Sequence, residues 1–217
     1  ESPVVFPVVE YVSRRKVNAF GEKSQVTLDG YHAGDDVEFT DKQEEVPVFA
    51  IAAGVVRRSD WIKGYGGVMS IAHTVEGKTF TAIYGHTDLS STSLKEGGRV
   101  TRSEQIAYLG EGGTEETDGE RKHLHFAVYE GEDSRIQGYE SLSEGLDRWL
   151  NPQDFFAQQG LDMRSQGRMY NSIQDFGGDE FTLEFLIPEG WEVEYDEQAR
   201  ILNVFSLGGS GSARERS

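Results

Sequence analysis

From Val46 to Tyr129 the chain repeats one pattern: short apolar runs rich in β-branched residues, separated by turns that carry glycine. The runs cover residues 46–56, 68–72, 79–84, 105–109 and 124–129, and the turns between them include residues 63–67, 95–98 and 110–119. Runs this short match the length of strands, and glycine supplies the positive φ that tight reversals demand. The pattern predicts an all-β fold, mainly antiparallel sheet with few short helices. The last of the three turns is long enough to form the rim of a site.

At 217 residues the chain can build one well-buried core with a small appendage beside it. Its 21 Lys and Arg stand against 38 Asp and Glu, a formal charge of -17. A field of that sign repels phosphate backbones and anionic lipid head groups, so nucleic acid is not an expected partner. The longest apolar stretch, residues 46–56, contains Pro47 and Gly54 and falls far short of the roughly 20 residues that span a bilayer. No membrane span is expected. Cysteine is absent, so any metal must be held by histidine and carboxylate rather than thiolate.

Beyond the main β region, residues 143–159 give a helical or irregular closing element, with Leu146, Trp149 and Leu150 on one side before Asn151 and Pro152 interrupt the pattern. Alternation then returns at Phe181, Leu183, Phe185 and Ile187, and again at Trp191, Val193 and Tyr195. A third run covers 201–207, which together predicts a separate three-strand β-meander. The Gly- and Ser-rich residues 208–217 read as a flexible tail.

Five histidines are present, and their spacing points to chemistry. His123 and His125 flank Leu124. On a strand, residues two apart share a face, so the two imidazoles project into one cleft while Leu124 enters the core. His32 and Asp36 share a face if their segment is extended, and Asp35 faces the other way. Two imidazoles and one carboxylate suit zinc with a fourth position open to water. By spacing alone His123 and His125 rank equally as ligands. The same inventory also fits the facial triad of a non-haem iron oxygenase, although that chemistry has no evident use for the additional histidines.

These residues resemble a known family. Tyr31-His32-Ala33-Gly34-Asp35-Asp36 is similar to the His-x-Gly-x-Asp signature of M23 peptidases of the lysostaphin and LytM type, and His123-Leu124-His125-Phe126 to their His-Leu-His-Phe strand. Between them, Gly64-Tyr65-Gly66-Gly67 resembles the family's glycine-rich loop and Tyr84-Gly85-His86 its Tyr-x-His. The resemblance covers about residues 20–156 and keeps the family's order along the chain.

It implies an antiparallel sheet with an open groove, and a division into a lead segment (1–19), a catalytic β domain (20–160), a C-terminal meander (165–207) and a tail (208–217). It also implies one Zn2+ per chain held by His32, Asp36 and His125, with His86 and His123 as catalytic histidines. Tyr65 and Tyr84 are expected along the substrate groove; His73 is expected to be structural or exposed. The implied activity is hydrolysis of peptide bonds in peptidoglycan by metal-activated water, in a secreted, periplasmic or cell-envelope protein. The competing expectation is a blocked or regulatory module that binds cell wall or activates another wall hydrolase, with a protein regulator as partner. The resemblance does not extend to the enlarged acidic loop 111–120 or to the meander.

Overall fold

The computed structural model describes residues 2–24, 30–133, 135–163, 168–171, 184–187, 191–196 and 201–206. The chain divides into two compact units, Glu1–Met163 and Arg164–Ser217.

In the first unit, β1 (Tyr31–His32), β2 (Asp35–Glu38) and β3 (Pro47–Phe49) precede the long strands β4 (Gly54–Ile62), β5 (Gly66–Val75) and β6 (Lys78–Gly85). After them come β7 (Thr87–Asp88), β8 (Arg99–Val100), β9 (Gln105–Leu109), β10 (His123–Glu130), β11 (Tyr139–Glu140) and β12 (Trp149–Leu150). The central sheet has the order β12-β10-β6-β5-β4-β8, with β2 also paired to β10, and its pairings are antiparallel. Glu76 and Gly77, at φ of 50° and 79°, make the two-residue turn between β5 and β6. Positive φ at both positions matches the right-handed twist of the flanking strands. A smaller sheet, β3-β9-β7, and the β1-β11 pair complete the unit.

Strict alternation explains why the central strands are buried on both faces. Leu124, Phe126 and Val128 of β10 join Phe80, Ala82 and Tyr84 of β6 in the larger apolar cluster. Ala127 and Tyr129 face the other way, into a smaller cluster with Tyr65, Val68, Ile83 and Trp149.

The first nineteen residues, expected to be only a lead segment, bury Val4, Val8 and Tyr11 in the larger cluster. Tyr11 meets the Phe126 and Phe156 rings edge-on, at 6.0 and 5.2 Å. Residues 143–159 also differ from the reading of Pro152 as a break. Pro152 opens a helix, α1 (Pro152–Gln158), and the Asn151 side chain caps it by accepting from the Gln153 and Asp154 amides. Proline's fixed φ and missing N–H cost nothing at a first helical position. The helix buries Phe155 and Phe156, each stabilising by about 1.5–3 kcal/mol through removal from water.

In the second unit, β13 (Arg168–Asn171) pairs antiparallel with β14 (Glu184–Ile187), and β15 (Trp191–Asp196) with β16 (Ile201–Ser206). Among the described residues this is two strand pairs, where the sequence predicts a single three-strand meander. The segment around Phe185 finds its partner in residues 168–171, which lack a clear strand pattern. Phe181, Leu183, the turn at Pro188, Glu189 and Gly190, Leu207 and the tail 208–217 lie outside the described residues.

Candidate metal centre and its groove

β10 positions two histidines. His123 and His125 share the parity of Ala127 and Tyr129, so both imidazoles leave the sheet on the face opposite Leu124 and Phe126. On β2, Asp36 pairs with His125, and Asp35 pairs with Phe126. Asp35 therefore turns toward the larger cluster, where it accepts hydrogen bonds from the Tyr11 hydroxyl (2.9 Å) and the Phe20 amide (3.1 Å). Between His32 and Asp36 the chain passes so close to β10 that a Cβ at Gly34 would lie 2.4 Å from the Phe126 carbonyl oxygen. Only glycine fits there.

The result is a tight triangle. His32 Nε2 and His125 Nδ1 are 3.0 Å apart, and Asp36 Oδ1 is 3.0 Å from His125 Nδ1 and 3.3 Å from His32 Nε2. All three side chains are buried, and the group stands out among the described residues as one able to hold a metal ion. The other Asp36 oxygen accepts from Asn18 Nδ2 at 2.7 Å and Arg121 Nη2 at 3.3 Å. The carboxylate is thus fixed from behind, with Oδ1 turned to the histidines.

Burial alone would raise the Asp36 pKa, but hydrogen bonds and charge interactions with His125 and His32 outweigh it and hold the carboxyl well below the usual range. Burial lowers the pKa of His125 and of His123, and takes His86 down to about 2 with help from the neighbouring His123 and His125. These shifts favour an ionised Asp36 beside neutral His125, His123 and His86 rings, the protonation states in which carboxylate and imidazole can bind a metal.

His123 Nδ1 lies 2.8 Å from the Arg121 carbonyl oxygen. That oxygen can only accept, so Nδ1 carries the proton and Nε2 keeps its lone pair. His86 reaches the same face by a different device. β6 ends at Gly85 and His86 takes a left-handed φ of 60°, which breaks the strand's alternation. Its ring then stands 4.1 Å from that of His123, centroid to centroid.

The same break corrects one expectation. Tyr84 does not line the groove: it pairs with Phe126, is fully buried in the larger cluster, and its hydroxyl oxygen engages the Ile51 amide and His73 Nε2. With regular alternation Tyr84 would have shared the face of His86. His73 is buried and structural.

His32, Asp36, His86, His123 and His125 all line one groove of about 840 Å³, and Tyr65 lines it too. Its charged walls are mixed, with Glu22 and Glu120 facing Lys23, Lys63 and Arg121. Of the acidic loop, Glu120 reaches the groove, whereas Asp118 caps the Gly64 amide and Glu111 pairs with the buried Lys122. Trp61 is exposed and donates to the Glu115 carbonyl. Three groove residues escape the sequence reading. Tyr139 packs its ring 4.9 Å from that of His32, and Asn18 and Arg121 hold Asp36. Arg121 carried a usable signal, since it shares the i, i+2, i+4 spacing of His123 and His125. Asn18 and Tyr139 reach the site through long-range pairing, which local spacing does not encode.

Among solved structures, LytU is 26% identical to this chain, the match covering 67% of this chain and 86% of that one with a TM-score of 0.48. A zinc-containing peptidase from Vibrio cholerae is 24% identical over 59% of this chain and 36% of that one, with a TM-score of 0.43. A chain of the SpoIIQ–SpoIIIAH complex is 20% identical over 70% of this chain and 99% of that one, with a TM-score of 0.46. No curated protein matches the chain. The sequence profile of peptidase family M23 matches residues 30–137, the segment that contains His32, Asp36, His86, His123 and His125. This chain therefore carries a peptidase family M23 domain.

Proposed function

We propose that the protein is a zinc-dependent endopeptidase that hydrolyses peptide bonds in peptidoglycan stem peptides or cross-bridges, working at the cell envelope or outside the cell. The observation that carries this reading is the triangle of His32, Asp36 and His125, with edges of 3.0, 3.0 and 3.3 Å. Tetrahedral zinc with bonds of about 2.0–2.1 Å separates its ligand atoms by about 3.3 Å, so the three donors fit one Zn2+ per chain. When bound, zinc polarises a scissile carbonyl and makes a water nucleophilic at neutral pH.

The remaining roles fall to the chain's own groups. His123 Nε2, left unprotonated by the Nδ1 bond to the Arg121 carbonyl, accepts a proton from the attacking water and returns it to the departing amine. His86, kept neutral by burial and set against the His123 ring, hydrogen-bonds the water or the developing oxyanion. Asn18 and Arg121 prevent Asp36 from rotating away from the ligand histidines. Peptidoglycan stem peptides carry free amines and carboxylates together, and the mixed charges of Glu22, Glu120, Lys23 and Lys63 along the groove suit such a chain.

The test is to incubate the zinc-loaded protein with peptidoglycan of several cross-link types, with and without a chelator, and to weigh the released fragments by mass spectrometry. Chelator-sensitive peptide cleavage is expected, and the fragment masses name the bond. Uncut wall from every source despite stoichiometric zinc would overturn the peptidase reading in favour of a regulatory module.

A further inference from the structure

A smaller pocket of about 410 Å³ opens on the central sheet away from the metal groove, among residues of β4, β5, β6 and β8. Val55 pairs with Ala72, Ala72 with Thr81 and Thr81 with Tyr129, so the pocket's floor lies on the sheet face that carries His123 and His125. From Val68, on the rung of His125, to Thr74 in the pocket, β5 spans about 20 Å at the rise of a strand. Arg57 is the extra residue of a bulge, since the register passes from Val56 opposite Ile71 to Arg58 opposite Ser70. Bulges re-aim side chains, and this one lines the pocket with Arg57, whose Nη2 meets Glu132 Oε1 at 2.7 Å. The loop that carries Glu132 is pinned to β6: the Gly131 amide donates to the Thr79 carbonyl and the Thr81 hydroxyl to the Gly131 carbonyl, each at 2.9 Å. Arg99 comes from the edge strand β8 and has no ion-pair partner among the described residues. The Thr74 and Thr79 hydroxyls, opposite one another on β5 and β6, have no hydrogen-bond partner among them either. The Arg57 side chain is 34% exposed, and Arg99 and Thr74 are exposed, so a ligand reaches these groups from solvent without rearrangement.

Two guanidiniums and one carboxylate leave the pocket with a single positive charge, in a chain whose formal charge is -17. A carboxylate matches that charge better than a phosphate dianion does, and a guanidinium fork suits its two oxygens. Ala53, Val55, Ala72 and Val100 add an apolar wall for a small aliphatic group. We propose that this pocket binds the free carboxylate of a peptide ending in a small aliphatic residue, with Arg57, Arg99 and the threonine hydroxyls as donors. Its role rests on the peptidase reading: the pocket anchors one stem-peptide end about 20 Å from the bond being cut, and so holds the polymer rather than the reacting atoms.

The experiment titrates N-acetylalanine into the isotope-labelled, zinc-loaded full chain and follows the backbone amide resonances. Those of Thr74, Thr79 and Val100 should shift, whereas the uncharged amide of N-acetylalanine should leave them in place. Arg99→Gln should weaken the binding about 10-fold and Arg99→Glu should abolish it. Both variants should melt with the parent, because Arg99 forms no ion pair in the fold. Inorganic phosphate, the second probe, should bind more weakly than N-acetylalanine. Equal shifts with the uncharged amide, tighter binding of phosphate, or an unchanged affinity in Arg99→Gln overturns the carboxylate site. On intact peptidoglycan Arg99→Glu should raise the half-saturating concentration about 10-fold, and the loss should be smaller on a cross-linked peptide too short to span about 20 Å. Equal losses on the two substrates overturn the anchoring role. The two readings fail separately. Uncut peptidoglycan with the N-acetylalanine shifts intact sinks the peptidase reading and leaves the pocket standing, while cleavage without those shifts sinks the pocket alone.

Discussion

His73 offers a prediction whose size follows from its surroundings. It sits fully buried on β5, with Nε2 3.0 Å from the Tyr84 hydroxyl and Nδ1 3.3 Å from the Ala53 carbonyl oxygen. Burial pulls its pKa from 6.5 to about 4, with partial opposition from the Ala53 and Ala52 carbonyls. The folded state therefore refuses a proton that the unfolded chain accepts. Stability from the neutral ring is fully present above pH 6.5, is lost as pH falls from 6.5 toward 4, and levels off below. Carried down to pH 4.5, a gap of roughly 2.5 pH units amounts to about 2.5 kcal/mol. Urea unfolding of the metal-free protein measures it. His73→Gln keeps an acceptor for Tyr84 and a donor for Ala53 but cannot titrate. Between pH 7.5 and 4.5 the parent should lose about 2.5 kcal/mol more than this variant. Parallel losses in the two proteins would refute the burial argument for this histidine.

Other outcomes follow from the site. His125→Ala should lose both zinc and turnover, whereas His123→Ala and His86→Ala should keep zinc and lose at least about 100-fold in turnover. Metal analysis beside wall digestion checks this, and stoichiometric zinc in His125→Ala would sink the ligand assignment. Arg121→Ala should weaken zinc affinity by about 10- to 100-fold in competition with a chelating dye, and an unchanged affinity would remove Arg121 from the support of Asp36. Gly66 has a φ of 65°, and a Cβ there would lie 2.0 Å from the Glu116 carbonyl oxygen. Gly66→Ala should therefore cost about 1–3 kcal/mol in thermal melts, and a neutral result would mean that the 110–120 loop yields freely.

What the sequence disclosed was set by period and by proximity. The opposite directions of Asp35 and Asp36, and the common face of His123 and His125, follow from a two-residue repeat that needs no tertiary knowledge. Tyr84 was misplaced because the reversal at His86 is a single backbone rotation on a non-glycine residue, which composition does not reveal. Val4, Val8 and Tyr11 gave no local sign of core membership, since their partners, such as Phe126 and Phe156, lie more than a hundred residues away. Pro152 misled because proline breaks a helix from within yet starts one from its edge. The strand at 168–171 was hidden because its pairing partner follows it across a long intervening segment.

The double grip on Asp36 has a kinetic consequence. One of its oxygens faces His32 and His125, the other is held by Asn18 and Arg121, so this single carboxylate ties together three stretches of chain, around residues 18, 32–36 and 121–125. Closing loops of that length is the slow, entropically costly part of assembling such a sheet. Until they close, no set of donors exists for an ion to find. An ion that joins only after the last closure leaves the rate of folding untouched and lowers the rate of escape, so metal starvation should shorten the lifetime of the native chain without delaying its formation.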